Sequence, residues 1–409
     1  MAISVLSGSP QAATPVYNKM LFKVSGSLTS ATNYRYVCDV KDAAGTTTLA
    51  RLKCDKLPTT NYGFFDVSRV VETLIAPTVP TLAQVGFADH AGFYSGYRLT
   101  FMEEYGSTPV VQTGTTTNVT GNVAFAGNLE QLELADWSGG AYFPPAPLTA
   151  NTGKSLTTTQ GGTSVSNAIA VVYAESYAYL CYGKGAANTT NAVRVRYRDA
   201  SNAVTREFFV SEGAASGSTI VRFGSGPMNL KALTAGQCSD GLAGSSSFPT
   251  SEGAGYSIEP IDTLNTGFPY FAVYYRIGPC QRFTSQPVHF VNKYGGIDSY
   301  TFTLKNRKRA NVQRDTFGYN SDVYGTLTYD KVWAGSFDYV YALNSDWLTD
   351  AESEWLIELV RSGQVWLELD GQLVEAVVNA NQYQFVTRRN DQLQQLQLEV
   401  AVAYKNNIL

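Results

Sequence analysis

The chain has 409 residues, a formal net charge of −4, 44% hydrophobic and 16% charged residues. That length is too great for one ordinary core, and the weak acidic balance offers no global attraction to nucleic acid or to an anionic membrane. No run of about 18 apolar residues occurs, which excludes a spanning helix of the usual kind.

The N-terminus, MAISVLSGSPQAATPVYNKM, lacks a basic stretch followed by an apolar one, so synthesis without an export signal is expected. Tyr34, Tyr36, Cys38 and Val40 alternate along a strand, DAAG supplies turn residues, and TTTLARL returns as the second arm of a hairpin. The period then changes. Asp66 is a candidate N-cap for Val67, Val70, Val71 and Leu74, which share one helix face until Pro77. A strand over Gly96–Glu103 closes this module, expected at residues 1–112 as a β-sandwich with a short helix.

TGTTTNVTGN (113–122) reads as a linker or long loop, after which Asn128 could cap a short helix over LEQLELADW. A middle β-rich domain is expected at 122–286, with strands at NAIAVVYAESYAYLCYG, VRVRYRD, TREFFV, STIVRFG and YFAVYYRIG. Between them run TANTGKSLTTTQGGTSVSN and SDGLAGSSSFPTSEGAG. Loops that long bind something or wait for a partner to order them.

FVNKYGGIDSYTF (290–302) opens a C-terminal domain at 287–409, expected to be α+β or a helix-decorated β-sandwich. Gly295 and Gly296 read as turn residues with positive φ, and Tyr300, Phe302 and Leu304 alternate with Ser299, Thr301 and Thr303. Thr349 and Glu352 have capping-box spacing ahead of an apolar stripe of Trp355, Leu356, Leu359 and Val360. Asp370-Gly371 marks a type I′ hairpin between QVWLEL and QLVEAVV, and Leu396, Leu398, Val400, Val402 and Tyr404 form a last alternating strand. The fold class is therefore mainly β: several β-sandwich modules with a few short helices.

Chemistry is sparse. His90 and His289 lie in no metal spacing and read as structural residues. Ser225, in FGSGPM, lacks the glycine of a nucleophile elbow, so Ser-His-Asp hydrolysis is unsupported. Glu103 and Glu104 are adjacent on a strand and point to opposite faces, a poor pair for glycoside hydrolysis. Asp298 is the better single carboxylate, although closing its own turn by an Asx-type bond is the plainer role. No phosphate cradle or calcium loop occurs, so no catalytic, cofactor or metal residue is assigned and no cofactor is expected. Cys38, Cys54, Cys181, Cys238 and Cys280 are odd in number and widely spaced, which favours buried reduced thiols. Arg194, Arg196 and Arg198 share a strand face, and Lys305, Arg307, Lys308 and Arg309 follow a strand. Both sets read as solvated features more readily than as local nucleic-acid contacts, with intersubunit salt bridges between those extremes.

The order FVNKYGGIDSYTF, DYVYALNSDWLTDAESEWLIELVRSGQVWLEL, a DG hairpin and a Gln-rich last strand resembles virion proteins of tailed bacteriophages, especially tail, neck or ring components of phages of Bacteroidetes. GFFDVSRVVETLIAP, after the first strands, is similar to their leading β-sandwich. The resemblance covers about the first quarter and last third of the chain and carries no catalytic signature. It implies a non-enzymatic virion structural protein, made in the host cytoplasm, whose partners are further copies in a ring and neighbouring tail or neck proteins. A rival reading is a carbohydrate-binding or carbohydrate-cleaving receptor-binding tail protein, with Trp137 or Trp333 as stacking platforms. A secreted adhesin is a third, which the expected lack of a signal disfavours.

Overall fold

The computed structural model describes residues 3–7, 10, 12–137, 142, 154–157, 163–184, 190–213, 218–262, 269–279, 281–320, 328–379, 395–404 and 406–408. Its described residues are mainly β, in several sheets with short helices, as expected.

The N-terminal module packs two sheets. One joins β1 (Ser4–Val5), β3 (Leu21–Ser25) and β6 (Tyr62–Asp66); the other runs β2 (Ala13–Pro15), β9 (Val110–Phe125), β8 (Tyr94–Tyr105), β4 (Arg35–Asp42) and β5 (Thr48–Asp55) in the order β2-β9-β8-β4-β5. Phe22 and Phe65 from the first sheet meet Phe101 of the second, at ring separations of 6.0 and 5.8 Å. Each fully buried ring of this kind stabilises the fold by about 2 to 3 kcal/mol.

Two expectations fail in this module. TGTTTNVTGN is not a linker, because it lies inside β9, paired antiparallel to β8. Its Thr and Val residues suit a pleated surface, and register shifts between Tyr97 and Leu99 and between Phe101 and Glu103 accommodate its irregular pairing. The sandwich therefore extends past residue 112 to Phe125, and β8 is an interior strand of its sheet. The helix α1 (Ser68–Glu72) is also shorter than its apolar stripe; Val67 is the N-cap residue, while the Asp66 carboxylate accepts from the Ser68 N–H at 3.1 Å and hydroxyl at 2.7 Å.

The middle module is a second sandwich. One sheet is ordered β10 (Ala170–Val172), β16 (Val273–Ile277), β15 (Gly255–Asp262), β12 (Thr190–Arg198), β13 (Val204–Ser211). The other pairs β11 (Tyr179–Gly183) and β14 (Ile220–Gly224) with β7 (Phe87–Asp89), which comes from the first quarter of the chain. Phe87 lies opposite Phe223, with ring centroids 4.9 Å apart. A border drawn at residue 112 cuts this pairing.

The β15 strand was hidden from the sequence because it contains Pro260. The structure tolerates that proline because β16 pairs with β15 only from Gly255 to Ile258, leaving the edge at residue 260 without a ladder partner from β16. The polar loop before it is also ordered. Arg206 donates to the carbonyls of Leu242, Ala243 and Ser246 at 2.6 to 2.9 Å and pairs with Asp240 at 2.8 Å. This loop needs no partner to order it; much of TANTGKSLTTTQGGTSVSN lies outside the described residues.

The C-terminal module is an eight-stranded sheet among the described residues. Its path is β18 (Ile297–Phe302), β17 (Gln286–Val291), β21 (Val365–Leu369), β22 (Gln372–Val378), β23 (Gln397–Val402), β20 (Thr328–Asn344), β19 (Arg307–Asn320), with β24 (Asn406–Ile408) also on β20. One face packs the long helix, numbered α4 (Asp350–Arg361) after the short α2 (Gln131–Ala135) and α3 (Pro227–Lys231). Thr349 Oγ1 accepts from the Glu352 N–H and the Glu352 carboxylate returns to the Thr349 N–H at 2.8 Å, the expected reciprocal cap. Trp355, Leu356 and Leu359 bury against Phe290, Leu367 and Val400. Asp370 (φ 49°) and Gly371 (φ 74°) form the expected type I′ turn. The opposite face does not meet solvent around β17 and β18, where Ile297 and Trp366 join the N-terminal core.

Candidate functional site: a three-module junction and a projecting arm

The turn in FVNKYGGIDSYTF is where the three modules meet. Asn292 closes it: its Oδ1 accepts from the N–H groups of Tyr294 (2.9 Å) and Gly296 (3.1 Å), and its amide donates to Leu156 O (2.8 Å) and Asp298 Oδ1 (3.0 Å). Asp298 was expected to fix the turn, and it does other work. Its buried carboxylate accepts the Trp355 indole N–H at 2.9 Å, fastening α4 to β18. Asn292 is the better Asx residue because it stands at the start of the turn, so its side chain reaches the N–H groups two and four residues onward.

Of the two glycines, only Gly295 has positive φ, +74°. Gly296 is required for space: a Cβ there would lie 2.3 Å from Leu156 O. Lys293 O accepts from the Asn128 N–H at 2.8 Å, so Asn128 ties α2's approach to this turn and is not its cap; the Glu133 carboxylate accepts from the Glu130 N–H at 3.2 Å instead. Lys293 Nζ reaches Glu133 at 2.5 Å, and its backbone N–H donates to the buried Glu358 carboxylate at 3.0 Å. Burial pushes the Glu358 pKa up, against the opposing pull of Lys293 and Arg361. A cleft of about 420 Å³ opens beside the turn, lined by Tyr17, Pro77, Lys293, Glu358, Arg361 and Gln364. Its charged groups pair with one another or with α2.

His90 completes the junction. Its ring is fully buried, stacked 3.9 Å from Phe93, with Nε2 2.9 Å from Gly295 O. Since a carbonyl only accepts, Nε2 carries the hydrogen. Burial, with Arg222 nearby, pushes the pKa down to about 3.

His289 sits in a line that sequence spacing concealed. Its Nδ1 lies 2.7 Å from Ser299 Oγ and its Nε2 3.7 Å from Glu368 Oε2, across β18, β17 and β21. Serine, histidine and glutamate in a row suggest nucleophilic chemistry, but the ring is fully buried against Tyr179 at 5.6 Å, so no acyl group reaches it in this arrangement. The Ser299 contact joins β17 to β18, while His289 Nε2 and Glu368 Oε2 face each other without a hydrogen bond.

The other candidates separate. Glu103 is buried and accepts from Tyr34 Oη at 2.8 Å, while Glu104 pairs with Lys53 at 2.7 Å on the opposite face, as adjacent strand positions require. Ser225 is buried, its hydroxyl 3.1 Å from Tyr275 Oη. Trp137 is no sugar platform: it is buried, and its indole N–H donates to Ala13 O at 2.9 Å. Arg194, Arg196 and Arg198 do share a face, yet they are committed within the chain. Arg194 pairs with Glu259 at 2.5 Å, Arg196 with Glu207 at 2.5 Å, and Arg198 meets Ser257 Oγ at 3.4 Å. Cys38, Cys181 and Cys238 are buried free thiols and Cys54 is half-buried; Cys280 lies outside the described residues. Burial raises the Cys181 pKa to about 12 and that of Cys54 to about 11, away from thiolate reactivity. Among the described residues no cluster of side chains suits a metal ion, and no helix is long and apolar enough to cross a membrane.

The second feature is an arm. β19 and β20 form one hairpin whose strands hold 14 and 17 residues, with Arg307 opposite Ala342 at its base and Asn320 opposite Thr328 near its end. β23 and β24 cover β20 only as far as Gly335, so beyond that residue the described ribbon is two-stranded. That part exposes Phe317 (45%) and Trp333 (67%), with Trp333 at a register shift opposite Asp315 and Thr316, and nearer the base Val312 (44%) is exposed opposite Phe337. At its base, Lys308 Nζ sits 3.8 Å over the Tyr339 ring, and Arg309 pairs with Glu399. Thus Arg307, Lys308 and Arg309 begin a strand of their own, and all three are exposed.

No family model matches the chain, and no curated protein matches it. Solved structures that match include one described as "Biofilm associated protein - BSP domain", at 8% identity over 83% of this chain and 63% of that one, with a TM-score of 0.18. The chain thus spans less than two thirds of that structure's length. A likeness at that score carries no argument about fold or function.

Proposed function

We propose that this chain is a non-enzymatic structural protein of a tailed-bacteriophage virion, assembling into a symmetric oligomer of the tail, neck or tail tip. The observation that supports the reading is the arm. A two-stranded ribbon is marginally stable alone in water, and a long exposed edge strand is a template for another chain. Here one carries Phe317 and Trp333 into solvent, with Val312 exposed nearer its base, on a molecule with few charges to desolvate. Copies that close around the arm would bury these side chains and pair the open edge. The phage assignment rests on the sequence resemblance, and the assembly mode on this geometry.

Sedimentation at several concentrations, with negative-stain imaging of the full chain and of particles carrying a tag on it, tests the proposal. Discrete symmetric oligomers and tag density at the tail or neck are expected. A chain that stays monomeric at all concentrations and turns over a substrate overturns it. Trp333 also leaves the glycan-binding reading a platform; a glycan array on wild type and Trp333→Ala separates the two, since assembly alone predicts no glycan signal.

A further inference from the structure

The outer edge of β19 has no ladder partner among the described residues, whose sheet ends there. We infer that its occupant is the β19 strand of a second copy, paired antiparallel about a two-fold axis through Val312, so that the two sheets become one. This deepens the assembly reading and rests on it.

The side chains select the register. A two-fold axis perpendicular to the sheet brings each face of one copy alongside the same face of the other, so opposed residues must lie an equal number of positions either side of the centre. Within each copy, Val312 lies opposite Phe337, Asn311 opposite Asp338 and Arg309 opposite Val340. Centred on Val312, the first row across both copies reads Phe337, Val312, Val312, Phe337, an apolar strip made from two side chains that each chain leaves partly or largely exposed. The flanking rows set Asn311 against Gln313 of the second copy, twice by symmetry. Two positions from the centre on each strand Ala310 meets Arg314, and three positions out Arg309 meets Asp315, again twice. Further out, Lys308 meets Thr316. No like charges are opposed.

Neighbouring centres do worse. A centre at Asn311 sets Lys308 against Arg314 twice, and centres at Arg314 or Asp315 set a charge against itself. Centres at Ala310 or Gln313 make no ion pair within the strand. β19 is continuous where β20 carries the extra residue, because Asp315 and Thr316 pair with Ala334 and Val332, so the register shift does not interrupt the open edge. Opposite charges directly across an antiparallel pair are favourable and like charges are not, which makes this centre the preferred one.

Reversing charges in the full chain tests the register. Arg309→Asp and Asp315→Arg each replace two ion pairs by two like-charge contacts, and each should weaken self-association by roughly tenfold or more in sedimentation equilibrium. Because Arg309→Asp also loses the Glu399 pair of its own chain, it is read against Glu399→Gln, which loses that pair alone and should leave association within a few-fold of wild type. The double variant restores opposite charges and should return association to within a few-fold of wild type. Both positions are exposed, and far-UV circular dichroism together with thermal midpoint confirms that each variant folds. Wild-type association that survives either single reversal, or a double variant that does not recover, overturns this pairing and leaves the assembly reading standing. A wild type monomeric at all concentrations overturns both.

Discussion

Acid should loosen the three-module junction through His90, and the size of the effect follows from its surroundings. The ring is fully buried between Phe93 and the turn, donates from Nε2 to Gly295 O, and has no partner at Nδ1. Protonation would place a second N–H, and a charge, beside Arg222 with no acceptor, which is why the pKa falls to about 3. In the unfolded chain the same imidazole titrates near its ordinary value of 6.5. Above that pH neither state holds the extra proton and His90 contributes nothing to the pH dependence. As pH falls below it, the unfolded chain takes up a proton that the native state refuses, so stability declines until the native ring also titrates. The slope approaches about 1.4 kcal/mol per pH unit, or roughly 2.5 kcal/mol between pH 6.5 and 4.5. Urea titrations at several pH values, followed by tryptophan emission that includes Trp137 and Trp366 of the same core, would read it. Carboxylates titrate in the same window, so the comparison is with His90→Gln, whose amide can still donate to Gly295 O but cannot gain a proton. The wild type should lose stability faster than the variant as pH falls. Parallel pH profiles would refute the argument.

Gly296→Ala should be more damaging than Gly295→Ala. A Cβ at Gly296 meets Leu156 O at 2.3 Å, whereas Gly295 loses its left-handed backbone preference, about 1 to 2 kcal/mol, and meets Ala126 O at a longer 2.9 Å; urea midpoints would rank them. Arg206→Ala should cost about 3 kcal/mol and release residues 239–248 to limited proteolysis, since one guanidinium holds Asp240 and three carbonyls. Asp298→Asn should destabilise the C-terminal module by about 1 to 3 kcal/mol, because the amide cannot accept at both oxygens from Asn292 and Trp355; a thermal melt checks this, and an unchanged midpoint would contradict the clamp.

Local chemistry wrote much of the fold into the sequence. Thr349 and Glu352 announce a helix because a capping box is satisfied within four residues, and Asp370-Gly371 announces its hairpin because both residues tolerate positive φ. The alternation in β4, β12 and β23 reflects a strand's two-residue repeat. Other features depended on distance. TGTTTNVTGN looks like a loop by composition and becomes a strand because β8 supplies its hydrogen-bond partners. β7 serves a sheet whose other strands lie more than 80 residues onward, and no local pattern encodes that pairing. The sequence located the double-glycine turn without showing what it joins: His90, Leu156 and Trp355 become its neighbours only when three modules close around it. The arm was missed for a related reason, since its residues suit a strand but only the end of the β23 and β24 ladders shows where the ribbon stands alone. Backbone conformation is chosen by neighbours along the chain; which edge stays open is decided by every other strand in the sheet.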